Sequence, residues 1–191
     1  MLQKNKNPIE VSASETLKEA STDFILSRKA MLCSKRTVEW YRWTLGKILD
    51  WMEEDGATLP GEMNSQRMRS YLSSLAERGL SDTYIHSHAR VARTFIKFMI
   101  EEDYTDKVVK FNMPALAQKR LRCLTAEEVA DLIKAAVTPR DKALVMFMVD
   151  TGIRREELCN LNWGHVDLDV GVVRIDHGKG GKARTVVAGN T

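Results

Sequence analysis

A chain of 191 residues with 43% hydrophobic content and a net charge of +3 has room for one medium or two small domains with modest cores. It contains no run of about 18 apolar residues, so no membrane span is expected; the opening MLQKNKNPIEVSASE has lysines but no apolar segment behind them, which excludes a secretory signal peptide and makes the cytoplasm the default compartment. Cys33, Cys123 and Cys159 are far apart without a C-x-x-C pair, and His86 and His88, two apart on an expected helix, point away from each other, so no disulfide framework, metal site or cofactor is implied.

Residues 1–13 are polar, include Pro8 and read as a flexible lead. Ser14 then caps a first helix with Leu17, Ala20, Phe24 and Ile25 on one face, ending near Arg28. Ser34 or Thr37 opens a second, with Val38, Tyr41, Leu45, Ile48 and Met52 at steps of three or four and Gly56 as its stop. That helix also interleaves Trp40, Trp43 and Trp51 with Lys35, Arg36, Arg42 and Lys47. Tryptophans so placed usually pack on a core, whereas Lys35, Arg36 and Arg42 are candidates for phosphate contacts. Asn64 caps a third helix carrying Met68, Tyr71, Leu72 and Leu75 and stopped by Gly79. Ser81 caps a long fourth, whose stripe is Ile85, His88, Val91, Ala92, Phe95, Phe98 and Met99. Four amphipathic helices with short loops predict an all-α bundle over residues 14–102. Arg90 and Arg93 on the fourth helix can face a nucleic acid, although a solvated helix face accounts for them nearly as well.

Periodicity fades over residues 103–123, where lysines and arginines outnumber acids. A basic linker of this kind can track a phosphate backbone through Lys119, Arg120 and Arg122, or simply be solvated. A second domain, residues 124–191, opens with Thr125 and Glu128 as a capping box. Thr138-Pro139-Arg140-Asp141 starts an apolar helix, expected in the domain core, that stops at Gly152. A new helix from Ile153 would carry Arg154, Glu157, Leu158 and Leu161 on one face, so that a guanidinium sits beside a carboxylate as an anion clamp. A lone R-x-x-E is ordinarily just a helical ion pair. Here, however, two β-branched runs come after it, Gly171 to Ile175 and Arg184 to Val187, around the turn Gly178-Lys179-Gly180-Gly181, and they predict a β-hairpin with Lys179 near its tip.

The ordered pair of segments, Thr151-Gly152-x-Arg154-x-x-Glu157-Leu158 and then Gly178-Lys179-Gly180-x-Lys182-x-Arg184, resembles the opening half of the catalytic domain of tyrosine recombinases, the phage integrase family of site-specific DNA recombinases. The helical half is similar to that family's core-binding (SAM-like) domain, so the resemblance covers most of the chain from Ser14 onward. The fold class it implies is mainly α with a small β-hairpin or sheet: a four-helix DNA-binding domain followed by the first part of an α+β catalytic domain. The implied partner is double-stranded DNA.

By the same resemblance Arg154 stabilises charge on the nonbridging oxygens of a phosphoryl transition state, and Lys179 protonates the leaving 5′ oxygen. Glu157 stands behind Arg154 and holds it, while Lys182 and Arg184 are at most phosphate contacts. The family also requires a later H-x-x-R pair and a nucleophilic tyrosine that forms a 3′-phosphotyrosyl link. None of Tyr41, Tyr71, Tyr84 or Tyr104 lies beyond the lysine turn, so no nucleophile is assigned. Two departures from the family pattern stand out: His165 occupies a position that is commonly acidic, and one residue is added before the lysine turn. Intact family members act as DNA-bound tetramers, whereas a stable oligomer is not expected of this chain. The competing expectations are a non-catalytic DNA-binding protein from a truncated integrase gene and a helical protein-interaction module.

Overall fold

The computed structural model describes residues 16–117, 121–176 and 182–189, and the chain divides into two compact units, 1–119 and 120–191. Ser14, Lys119, Arg120 and the turn residues Gly178 to Gly181, Lys179 among them, lie outside the described residues.

The first unit is built from α1 (Leu17–Ala30), α2 (Lys35–Glu54), α3 (Ser65–Glu77) and α4 (Asp82–Glu101). Thr16 caps α1 rather than Ser14, because its hydroxyl accepts the Glu19 N–H while the Glu19 carboxylate reaches back to the Thr16 N–H. Ser34, Asn64 and Ser81 cap the next three as their side chains predict. Phe24 is the hub of the core, with edge-to-face contacts to Tyr41, Phe95 and Phe98 at ring separations of 5.3, 5.5 and 5.3 Å. The apolar stripes read from α2, α3 and α4 all turn inward, with Leu45, Ile48, Met52, Met68, Tyr71, Leu75, Val91, Phe95 and Met99 buried.

The segment after α4 is not a free linker at its start. Phe111 is buried in the bundle core, with Val109 and Met113 packed beside it. Arg93 donates to the Phe111 carbonyl at 2.6 Å, and Lys110 N–H donates to Ser65 Oγ at 3.0 Å. An apolar anchor every other residue ties down a stretch that lacks helical periodicity.

The second unit contains α5 (Ala126–Ala135), α6 (Pro139–Thr151), the short α7 (Arg155–Cys159) and an antiparallel sheet of β1 (Val166–Asp167), β2 (Val172–Ile175) and β3 (Arg184–Val187) in that order. In the β2/β3 pair Val173 faces Val186 and Ile175 faces Arg184, which places these four side chains on the sheet's inner side with Val173 and Ile175 buried. At the β1–β2 turn Gly171 has φ +66°, and a Cβ there would lie 2.7 Å from the Ala188 carbonyl oxygen; only glycine fits both demands.

Two expectations fail in this unit. The apolar helix α6 is not a core helix: no residue of α5 or α6 is buried, and Leu132, Met146 and Val149 stay exposed. The helix after Gly152 has only five residues, so Arg154 is its N-cap and Leu161 lies beyond its end. Arg154 is extended, at φ −75° and ψ 147°, which keeps it out of the helix proper.

Candidate functional site

The candidate site starts from a reversal of the chain. Gly152 ends α6 in the left-handed conformation, φ 60° and ψ 23°, and its N–H donates to the Met148 carbonyl at 3.1 Å. The next residue, Ile153, is buried and pins the reversal, so Arg154 starts α7 from a fixed backbone. Glu157 completes the arrangement by folding back: its Oε2 accepts the Arg154 N–H at 2.9 Å and its Oε1 accepts Arg154 Nη1 at 3.0 Å. The Arg154–Glu157 proximity read from a helical repeat is therefore real, but a capping contact produces it.

A second guanidinium meets the same carboxylate. Arg184, on the inner face of β3, donates from Nη1 to Glu157 Oε1 and from Nη2 to Oε2, both at 2.7 Å. This parallel two-pronged contact is the strong geometry for an arginine and a carboxylate. The Glu157 side chain is 4% exposed, and these donors, the Arg184 guanidinium first and Arg154 after it, pull its carboxyl down to about 2 despite desolvation. The Arg184 guanidinium is correspondingly raised. Arg154 remains 58% exposed, so one edge of its fork is held by Glu157 while the rest is open to an incoming anion.

Arg184 was expected only as a phosphate contact; the structure engages it with Glu157. Strand alternation carried the signal, because an arginine sharing a face with Val186 and Ile175 needs a carboxylate partner. Lys182 is exposed beside the turn, and Arg122 pairs with Glu128. On the outer side of the sheet Asp176 bridges His165 Nε2 at 3.2 Å and Arg174 Nε at 3.3 Å, next to an exposed Trp163.

In the helical unit Lys35, Arg36 and Arg42 are exposed, and none belongs to the ion pairs described there, which join Lys18 to Glu53, Arg67 to Asp55 and Lys97 to Glu101. Arg90 lies over the Trp40 ring at 5.1 Å and Arg93 over the Phe111 ring at 5.4 Å. Arg93 is thus a strut for the segment leaving the bundle. Sequence reasoning also missed the pairing of buried His88 with buried Tyr71, whose hydroxyl lies 2.6 Å from His88 Nδ1. Among the described residues no cluster of three or more His, Cys, Asp or Glu side chains could hold a metal ion, and no helix is long and apolar enough to cross a membrane.

The model of the Phage integrase family matches residues 122–191. The chain is 33% identical over 157 residues to the tyrosine recombinase XerD of Chlorobaculum tepidum, covering 77% of this chain and 51% of that protein. It is 28% identical over 163 residues to the tyrosine recombinase XerC of Xanthomonas campestris pv. campestris, covering 82% of this chain and 50% of that one. Its fold matches a lambda integrase dimer bound to a COC′ core site with a TM-score of 0.76 at 17% identity, over 91% of this chain and 49% of the integrase. The chain spans about half the length of the relatives it matches.

Proposed function

Since this chain belongs to the phage integrase family of tyrosine recombinases, we propose that it is the duplex-gripping portion of a site-specific DNA recombinase and carries part of its catalytic apparatus. The observation behind this reading is the Arg154 guanidinium, oriented by a nearly buried Glu157 yet 58% exposed. A fixed fork of that kind lowers the energy of a phosphate whose nonbridging oxygens gain charge, without reorganising at the moment of reaction. Glu157 is a positioning residue in this scheme. Its carboxyl, held near 2, stays ionised throughout the neutral range and so serves neither as acid nor as base.

Lys179, outside the described residues, supplies the proton for the leaving 5′ oxygen. The exposed cations of the helical unit, Lys35, Arg36 and Arg42, hold backbone phosphates, joined by Arg90 and by the basic segment with Lys119, Arg120 and Arg122. Lys182 contacts phosphate near the turn, whereas Arg184 is committed to Glu157, and Arg93, exposed and held to Phe111 through one Nη2 contact, keeps its other N–H groups for a phosphate. The working partner is duplex DNA in the cytoplasm, and recombination itself belongs to the intact, longer family architecture.

The test is binding of the purified chain to a mixed-sequence duplex by fluorescence anisotropy, beside a Lys35/Arg36/Arg42 triple alanine variant. Wild-type binding that the triple variant weakens at least tenfold supports the reading; wild-type binding that the triple variant leaves intact removes the helical unit from the interface.

A further inference from the structure

The turn between α1 and α2 breaks a local rule for which nothing among the described residues compensates. Helix α1 ends with the Cys33 N–H donating to the Arg28 carbonyl at 3.1 Å and the Leu32 N–H to the Lys29 carbonyl at 2.9 Å. The left-handed position of such an ending is ordinarily glycine, and the chain uses Gly56, Gly79 and Gly152 just past α2, α3 and α6. Here the position holds Leu32, at φ 56°. A leucine is strained in that conformation, and at 91% exposure its side chain recovers nothing by burial. Met31 beside it is 65% exposed.

The surroundings of this apolar tip are cationic. Leu32 and Cys33 line a groove of about 460 Å³ with Lys29, Lys35, Val38, Glu39 and Arg42, and Arg36 is exposed next to Lys35. Four cations against one carboxylate fit a polyanion. An apolar point between them fits what duplex DNA offers between its phosphates, namely base edges, where the C5 methyl of thymine is the apolar group in the major groove.

We propose that Met31 and Leu32 form a base-contacting element that packs on thymine methyl groups in the major groove, while Lys29, Lys35, Arg36 and Arg42 hold the flanking phosphates. The proposal rests on the DNA-binding reading above. It assigns a direct-readout role to a turn, where the helical cations alone would give only register on the backbone.

Leu32→Gly tests it, because the change removes the side chain and the backbone strain together. The variant is expected to melt no lower than wild type, yet to bind a thymine-containing mixed-sequence duplex roughly five- to tenfold more weakly. Its salt dependence stays that of wild type, since no phosphate contact is lost. Replacing thymine by uracil, which deletes only the methyl groups, weakens wild-type binding by at least a similar factor and weakens Leu32→Gly binding less, because only Met31 is then left to lose its contact. The inference is overturned if Leu32→Gly binds as tightly as wild type, or if wild type does not distinguish the two duplexes. It is equally overturned if the substitution alters self-association with duplex affinity intact, which makes the turn a protein contact. A wild-type chain that binds no duplex at about 50 mM salt refutes the DNA-binding reading itself, and the turn's role with it.

Discussion

Mild acid should destabilise the helical unit through one buried imidazole, His88. Its Nδ1 lies 2.6 Å from the Tyr71 hydroxyl, the ring tautomer deciding which of the two donates, and its Nε2 has no hydrogen-bond partner among the described residues. Rings of Tyr84 and Trp43 lie 4.3 and 6.0 Å from the imidazole, Tyr71 closes the third side, and no carboxylate pairs with it among the described residues. Burial accordingly pulls His88 down to about 4 from its usual 6.5. The unfolded chain takes up the proton as pH falls through 6.5, while the folded chain resists it until about 4. Stability is thus complete above 6.5 and is lost progressively between 6.5 and 4. At pH 5 the loss amounts to about 2 kcal/mol relative to pH 7.5. Glu19 and Glu62, lowered by hydrogen bonds from the backbone they cap, act mainly below their usual 4.5 and leave the change between pH 7.5 and pH 5 to His88. Urea unfolding at pH 7.5 and pH 5, monitored by tryptophan fluorescence, reads the difference, since Trp40, Trp43 and Trp51 all belong to this unit. A His88→Gln chain should be less stable at pH 7.5 but lose little more at pH 5. Equal wild-type stability at the two pH values, or the same loss in His88→Gln, refutes the argument.

Other parts of the structure yield their own tests. Phe24→Ala removes the hub ring of the bundle and should cost about 3–5 kcal/mol in urea unfolding; a cost under about 1 kcal/mol would mean the three ring contacts are not formed in solution. Gly171→Ala forces a Cβ against the Ala188 carbonyl oxygen at a strained φ, and should destabilise the second unit by about 1–3 kcal/mol with the helical unit unaffected, as read by hydrogen exchange on β2 and β3. The Glu157 carboxylate, held low by Arg184 and Arg154, contributes stability that is fully present above 4.5 and is lost as pH falls through about 2. Glu157→Gln should abolish that acid sensitivity in the β3 amides and speed their exchange at pH 7; unchanged exchange at both pH values counts against the shared-carboxylate geometry.

The bundle was readable because each of its helices repeats one rule. Ser34, Asn64 and Ser81 mark starts, and stripes such as Met68, Tyr71, Leu72 and Leu75 have a period only a helix can bury. The hairpin was equally visible, from β-branched runs about a glycine turn. What escaped depends on contacts distant in sequence. Arg184 meets Glu157 only because Ile175 pairs with Arg184 rather than with a neighbour, and a hairpin's register with an added residue is not written locally. Arg93 looked like a free surface cation until Phe111, far along the chain, supplied its carbonyl. The shortness of α7 was hidden for another reason: R-x-x-E satisfies both a helical repeat and a capping box, and periodicity alone does not distinguish them.

If Arg154, held by Glu157, presents its free edge to a DNA phosphate, the slope of log Kd against log salt for duplex binding by wild type and Arg154→Ala reads that contact most directly. Wild-type affinity should fall steeply with salt, and the Arg154→Ala slope should be shallower by about one contact, with the loss of affinity uniform across duplex sequences. An Arg154→Ala chain with the wild-type slope and affinity would contradict it, leaving Arg154 as a cap for α7 and nothing more.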